Sequence, residues 1–133
     1  METIEKNLVP ESKRSGFLPR HVGKAFFFFE NAVYDWMGQL CPEYQGGYWQ
    51  FYELSSGGFF MAFDSEQPLK VTFPQNYFEE MMTPEAASIA ANLFALNSLC
   101  WKTESQQLID AYYALRDFAA SHQEGAKILR VID

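Results

Sequence analysis

The side chains that could do metal or nucleophilic chemistry are few in this sequence. Its two histidines, His21 and His122, stand near opposite ends of the chain, and neither has a cysteine beside it. No His-Glu-x-x-His or Cys-x-x-Cys spacing is present. Cys41 and Cys100 are too few and too far apart for a zinc site, so we expect two reduced thiols in the core. The sequence predicts no metal site.

Motifs for covalent catalysis and phosphate binding are missing as well. The chain has no Gly-x-Ser-x-Gly, no Gly-x-x-x-x-Gly-Lys-Ser/Thr and no Gly-x-Gly-x-x-Gly. Glu79 and Glu80 could serve acid–base chemistry, but adjacent side chains on one element diverge and are typical of a solvated edge. We therefore expect a protein that binds rather than an enzyme, with no catalytic residue and no cofactor.

Charge is distributed unevenly along the 133 residues, whose net charge is −7. Residues 1–24 contain five bases and three acids, whereas residues 25–101 contain nine acids and only Lys70 as a base. An acidic middle repels phosphate, so we expect no stable binding of nucleic acid through it. A basic protein partner fits better, although the same carboxylates could simply keep an aromatic-rich domain in solution.

The elements that position these groups follow from hydrophobic periodicity and turn residues. Residues 1–16 predict a flexible arm, and residues 17–133 predict a single domain. We expect strands at Tyr48–Leu54, Phe59–Phe63 and Leu69–Phe73, helices at Phe28–Leu40, Pro84–Leu99 and Thr103–Ser121, and a short helix or extended segment at the end. This pattern favours an α/β fold of the α+β type, with a small three-stranded antiparallel sheet packed against about four helices.

The clearest element is a β-hairpin over Gly46–Ala62, with the sequence GGYWQFYELSSGGFFMA. Aromatic strands flank a Ser-Ser-Gly-Gly turn, in which Gly57 and Gly58 permit the reversal. Strand alternation places rings on both faces of the first strand, and we expect Trp49 and Phe51 to lie in the core. The other hairpin candidates are surface groups that a partner could contact: Tyr48, Tyr52, Glu53, Ser55 and Ser56.

The final residue is a further candidate. Asp133 follows the hydrophobic Val131 and Ile132, so this end is either a short docking tail or a packed terminus. No apolar run approaches the roughly 20 residues of a membrane span, and the first sixteen residues lack the apolar core of a secretory signal. We therefore expect a cytoplasmic protein without a membrane partner.

Several motifs in order resemble the antirestriction proteins of the ArdB/KlcA family. They are Phe17-Leu18-Pro19, Leu40-Cys41, the Gly46–Ala62 block, Thr83-Pro84-Glu85-Ala86-Ala87, Tyr112-Tyr113 and the closing Ile132-Asp133. This sequence differs from the family pattern at Ser56, where asparagine is more common, and at Phe63, where proline is expected. Members of this family are carried by plasmids and other mobile elements.

The resemblance implies a protein that protects incoming unmodified DNA of a phage or mobile element. Its target is the type I restriction-modification enzyme, inhibited in restriction rather than methylation, through protein contact that is direct or mediated by a host factor. An acidic mimic of DNA is one alternative, and a nucleic-acid binder using the basic arm is another. Whether exposed aromatic side chains pair two copies into a homodimer is left open.

Overall fold

A computed structural model describes residues 3–133 of the chain; residues 1–2, which belong to the predicted arm, lie outside the described residues. Five strands and five α-helices follow one another with short connections. The strands are β1 (Lys6–Leu8), β2 (Trp49–Leu54), β3 (Phe59–Phe63), β4 (Leu69–Phe73) and β5 (Phe78–Met82), and the helices are α1 (Phe17–Val22), α2 (Phe26–Leu40), α3 (Pro84–Thr103), α4 (Gln106–Ser121) and α5 (Gly125–Ile132). Helices and antiparallel strands occupy separate parts of the sequence, which confirms the α+β class.

The strands form two antiparallel sheets, of order β1-β2-β3 and β4-β5. The predicted hairpin is confirmed, with Phe51 opposite Met61 and Glu53 opposite Phe59. A three-stranded sheet is present, but the prediction of its third member was wrong: β4 pairs with β5, and β1 completes the first sheet. Strand β5 was missed because Glu79 and Glu80 within Phe78–Met82 make it read as a charged loop.

The amino-terminal segment packs against the hairpin. Lys6 pairs with Leu54 and Leu8 with Tyr52, and the Val9 amide donates to the Phe51 carbonyl at 2.8 Å. Backbone pairing fixes β1 although all three of its residues are exposed. Part of the predicted arm is therefore an edge strand that its polar composition conceals; the domain boundary after residue 16 stays a prediction.

Helix boundaries follow the capping residues. Helix α3 begins at Pro84, as predicted, and Thr83 is its N-cap because its Oγ1 accepts from the Ala86 amide at 3.2 Å. The predicted start of the next helix at Thr103 was wrong: Thr103 ends α3, and Ser105 caps α4 by accepting from the Leu108 amide at 3.4 Å. Between them Glu104 adopts the left-handed conformation, with φ 53°, which turns the chain from α3 into α4.

Buried side chains of α3 hold the outer side of β3. The Asn92 amide accepts from the Met61 N–H at 3.0 Å and donates to the Met61 carbonyl at 2.7 Å. Ser88 Oγ accepts from the Phe63 N–H at 2.9 Å. Both polar side chains are fully buried, so the helix replaces the hydrogen-bonding partner that a further strand would supply.

Aromatic rings fill the core between the hairpin and the helices. Phe59 lies in edge contact with Phe17 of α1 and Phe29 of α2, at centroid distances of 5.8 and 5.5 Å. Trp49 is buried as predicted, whereas Phe51 is only half-buried. Cys41 is buried and unpaired, and burial raises the pKa of its thiol to about 12.

Candidate partner-binding surface

Glu53 is held on the hairpin by two side chains of α1. Its carboxylate forms an ion pair with Arg20, and its Oε1 lies 3.2 Å from His21 Nε2. The Glu53 side chain is still 41% exposed, so a partner can reach it. The carboxylate is thus a fixed group on the surface, with part of its charge already balanced by Arg20.

His21 itself packs against two aromatic rings of the core. Its ring lies 4.7 Å from Phe17 and 4.6 Å from Phe59 between ring centroids. Burial, reinforced by the neighbouring Arg20 charge, lowers the pKa of His21 to about 4. The imidazole is therefore neutral at physiological pH and donates from Nε2 to Glu53.

We expect the fold to become less stable as the pH is lowered, because of His21. An unfolded chain protonates this histidine near 6.5, whereas the folded chain takes up the proton only near 4, so stabilisation is complete above 6.5 and is lost between these values. The full difference in pKa corresponds to about 3 kcal/mol, and solvent screening at the partly exposed ring reduces it to on the order of 2 kcal/mol. Urea unfolding of the wild type and His21→Gln across this range checks it, since the variant should show a shallower dependence. Parallel curves for the two proteins would exclude His21 as the source.

In the turn between β2 and β3, Ser55 is held by hydrogen bonds, whereas Ser56 is exposed. Ser55 Oγ accepts from the Glu5 amide at 2.9 Å, and the Ser55 amide donates to the Glu5 carbonyl at 2.8 Å. Ser56 is exposed and lines a hollow of about 210 Å³ together with His21 and Gln107. Ser55 is therefore a structural residue, whereas Ser56 is available for contact.

The two candidate tyrosines lie beside basic groups of the amino-terminal segment. Tyr48 is 48% exposed, and the Arg14 guanidinium stands 4.7 Å from its ring centroid. Tyr52 stacks on Phe60 at 5.1 Å, with Lys6 Nζ 4.9 Å from its ring. Tyr48 is thus the more accessible of the two, and Tyr52 is half-buried.

Asp133 lies apart from the hairpin candidates in its contacts. Its two carboxylate oxygens accept from Arg116 Nη1 at 3.2 Å and Nη2 at 2.8 Å, in a two-pronged ion pair that raises the pKa of Arg116. Arg116 also donates to the Tyr112 hydroxyl at 3.3 Å. The six candidates therefore form two groups, one on the hairpin and one where α5 meets α4.

Sequence analysis missed a network around His122. The Glu124 amide donates to His122 Nδ1 at 3.0 Å, so the ring proton lies on Nε2, which donates to Glu85 at 2.8 Å. This hydrogen bond, together with the ion pair to Lys6, lowers the pKa of Glu85. Both imidazole nitrogens are engaged, so the network fastens α4 to the start of α3 and to β1. No spacing in the sequence signals residues 6, 85 and 122 as neighbours.

Residues 3–133 offer neither a metal site nor a membrane-spanning helix. No group of three or more His, Cys, Asp or Glu side chains there could hold a metal ion. None of the helices in that range is long and apolar enough to cross a membrane. The groups that the structure does present are fixed carboxylates and exposed aromatic rings, which are suited to contact with another macromolecule.

A family model and individual relatives agree when this chain is compared with known proteins. The model of the family described as "Antirestriction protein" matches residues 42–133. Two Escherichia coli proteins named antirestriction protein KlcA are 42% and 39% identical, covering 94% and 99% of this chain and 90% and 96% of their own lengths.

A solved structure extends the likeness to the whole fold. It belongs to work on KlcA and ArdB that describes a novel fold and antirestriction activity against type I DNA restriction systems in vivo but not in vitro. The match has a TM-score of 0.91 at 41% identity and covers 100% of this chain and 99% of the other. Sequence and fold agree over nearly the full length, and this chain therefore belongs to the antirestriction protein family.

Proposed function

We propose that this protein protects unmodified DNA of a phage or mobile element from type I restriction enzymes inside the cell. It inhibits restriction and leaves methylation intact, and it acts by protein contact rather than catalysis. The observation that supports this most strongly is the match to the KlcA and ArdB fold over the whole chain at 41% identity. The proposed place of action is the cytoplasm, where the restriction complex meets incoming DNA.

A host factor is the preferred route to the restriction complex. The structural relative is described as active in vivo but not in vitro, which is expected when inhibition needs a component that purified enzymes lack. A fold so similar supports the same requirement here. The protein would then contact that factor, or an assembly that contains both the factor and the restriction enzyme.

The basic residues of the arm and of α1 are weak candidates for nucleic-acid binding. Lys6 pairs with Glu85, Arg20 pairs with Glu53, and Arg14 donates from Nη1 to the Trp49 carbonyl at 3.0 Å. Bases engaged in this way have less charge to offer phosphates, and salt-dependent binding needs several of them.

Mimicry of DNA also fits the charge distribution poorly. The carboxylates of Glu53, Glu80, Glu85 and Asp133 are each paired with a basic side chain. A mimic needs a continuous array of uncompensated charge to replace the phosphates. Protein contact through fixed polar groups and exposed aromatic rings fits this surface better.

Plating efficiency of phage tests the function. We expect cells with an active type I system to plate unmodified phage more efficiently when they produce the protein, with no change for phage that already carries the modification. Methylation of phage that survives should proceed normally. Absence of rescue, with the folded protein confirmed in the cells, would contradict the proposal.

The route is tested separately with purified components. We expect the protein alone to leave DNA cleavage by a purified type I enzyme unchanged, and addition of a cell extract to restore inhibition. Heat-treated extract is the control for small molecules. Inhibition by the purified protein without extract would overturn the host-factor route while leaving the antirestriction function intact.

The hairpin candidates are tested at Ser56. This residue is exposed, so a substitution there requires little rearrangement of the fold. We expect Ser56→Arg to reduce phage protection by about tenfold, because a large charged side chain blocks the contact at the turn. Gln67→Arg, at an exposed loop position, is the matched control. Full protection by Ser56→Arg would remove the turn from the binding surface.

Asp133 is tested in the same plating measurement. We expect Asp133→Asn to lower protection, since it removes the charge that orients Arg116 at 2.8 Å. Glu79→Gln is the control, because Glu79 is exposed and forms only a long 3.7 Å pair with Lys70. Unchanged protection by Asp133→Asn would leave this end as a packed terminus.

A further inference from the structure

A groove between the end of α3 and α4 is lined mainly by aromatic and apolar side chains. Its volume is about 330 Å³, and its walls are formed by Asn97, Cys100, Trp101, Glu104, Ile109, Tyr112 and Tyr113. Trp101 is 81% exposed and Tyr113 is 59% exposed. An indole in water at the rim of an apolar groove is an unfavourable arrangement that burial against a partner would relieve.

Two opposite charges follow this tryptophan in the sequence. Lys102 follows it directly and Glu104 lies three residues beyond it, and neither forms an ion pair within the described part of the chain. Glu104 also occupies a left-handed position, φ 53°, which glycine adopts at lower cost. The backbone at this position favours glycine, and the glutamate that occupies it places a carboxylate at the groove.

Exposed aromatic rings are also present on α2. Phe27 and Phe28, in its first turn, are 63% and 69% exposed, and α2 packs against α3, the helix that carries Trp101. Large exposed rings are typical of an interface rather than of free surface.

We propose that the α3–α4 groove binds a second copy of this chain in a two-fold symmetric dimer. Trp101 of each copy, which forms one wall of its own groove, packs into the groove of the other, and the groove of about 330 Å³ is of a size suited to an indole ring. Lys102 of one copy then faces Glu104 of the other, and the symmetry repeats the pair. A projecting ring, an adjacent groove and two opposite unpaired charges make the surface complementary to itself.

Sedimentation equilibrium of the purified full chain tests the dimer. From micromolar to near-millimolar concentration, we expect the mass to rise from 15.3 kDa towards twice that value. Trp101→Ser should stay at the monomer mass, and Tyr77→Ser, which alters a ring that is 95% exposed elsewhere, should behave as the wild type. A constant monomer mass for the wild type would overturn the proposal.

A charge exchange tests the arrangement itself. We expect Lys102→Glu and Glu104→Lys each to weaken the dimer by about tenfold, and the two together to restore it, because the exchanged pair is again opposite in sign. Circular dichroism verifies that each variant is folded. A double variant that dimerises as weakly as the single variants would overturn the pairing of Lys102 with Glu104 across the interface. A monomeric wild type whose Trp101→Ser variant loses phage protection would assign the groove to another protein.

Discussion

Asn92→Ala is expected to destabilise the protein by about 3–5 kcal/mol, which is a large part of the stability of a domain of this size. The substitution removes three hydrogen bonds: one from the Met61 amide, one to the Met61 carbonyl at 2.7 Å and one to the Ser88 carbonyl at 2.6 Å. It also leaves both Met61 backbone groups buried without a partner, which costs more than the bonds themselves contribute. Urea unfolding followed by far-ultraviolet circular dichroism measures the change.

Asn97→Ala is the matched control for this prediction. It alters the same residue type on the same helix, but Asn97 is exposed, so its effect should stay within about 0.5 kcal/mol. Equal unfolding midpoints for Asn92→Ala and the wild type would show that the Met61 backbone finds another partner, and that α3 does not depend on this side chain for its position against β3.

The second large effect is expected at Phe59. Phe59→Ala should cost about 3–5 kcal/mol, because this ring is fully buried and contacts Phe17, His21 and Phe29. It joins the hairpin to α1 and α2 at once, so the cavity cannot be closed by moving a single helix. Thermal and urea unfolding should both shift, and antirestriction should fall with the folded fraction.

Phe27→Ala provides the comparison at an exposed position. The Phe27 side chain is 63% exposed, and its removal should leave the unfolding free energy nearly unchanged. Comparable losses for Phe27→Ala and Phe59→Ala would contradict the assignment of the core to the Phe59 contacts. Comparison of the two variants thus separates the effect of removing an aromatic ring from the effect of removing core packing.

Local patterns predicted the hairpin and the longer helices well. Aromatic alternation and the paired glycines identify β2 and β3 within one residue of their observed bounds, since the turn signal and the strand signal agree. The Thr83 and Pro84 pair likewise located the start of α3. In each case, a single short segment carries all the information that the element needs.

Pairing between distant segments could not be predicted in the same way. Strand β1 forms because backbone groups of Lys6–Leu8 match the free side of β2, and its side chains carry no alternation that signals this. Two of the five residues of β5 are charged, so its composition did not favour pairing with β4. Where backbone hydrogen bonds rather than side-chain burial hold a strand, the pattern of side chains is uninformative.

The residues of the candidate surface also divide into features that the local sequence predicted and features that depend on tertiary packing. Residue type and turn position predicted accessible groups at Tyr48 and Ser56, and both are exposed. The partners that fix the charged candidates, Arg20 for Glu53 and Arg116 for Asp133, come from other elements and depend on how these pack. The Glu85–His122 network depends on tertiary structure in the same manner.

The side chains of Ser88 and Asn92 along β3 also bear on aggregation. An unpaired strand edge is a template on which other chains can add strands and grow into fibrils. Along β3 that template is occupied at Met61 and Phe63 by groups from α3, and the opposite edge of the sheet offers only three residues, one of which is a lysine. The three-stranded sheet of this phenylalanine-rich protein therefore offers little free edge on which such assemblies could grow while the protein remains folded.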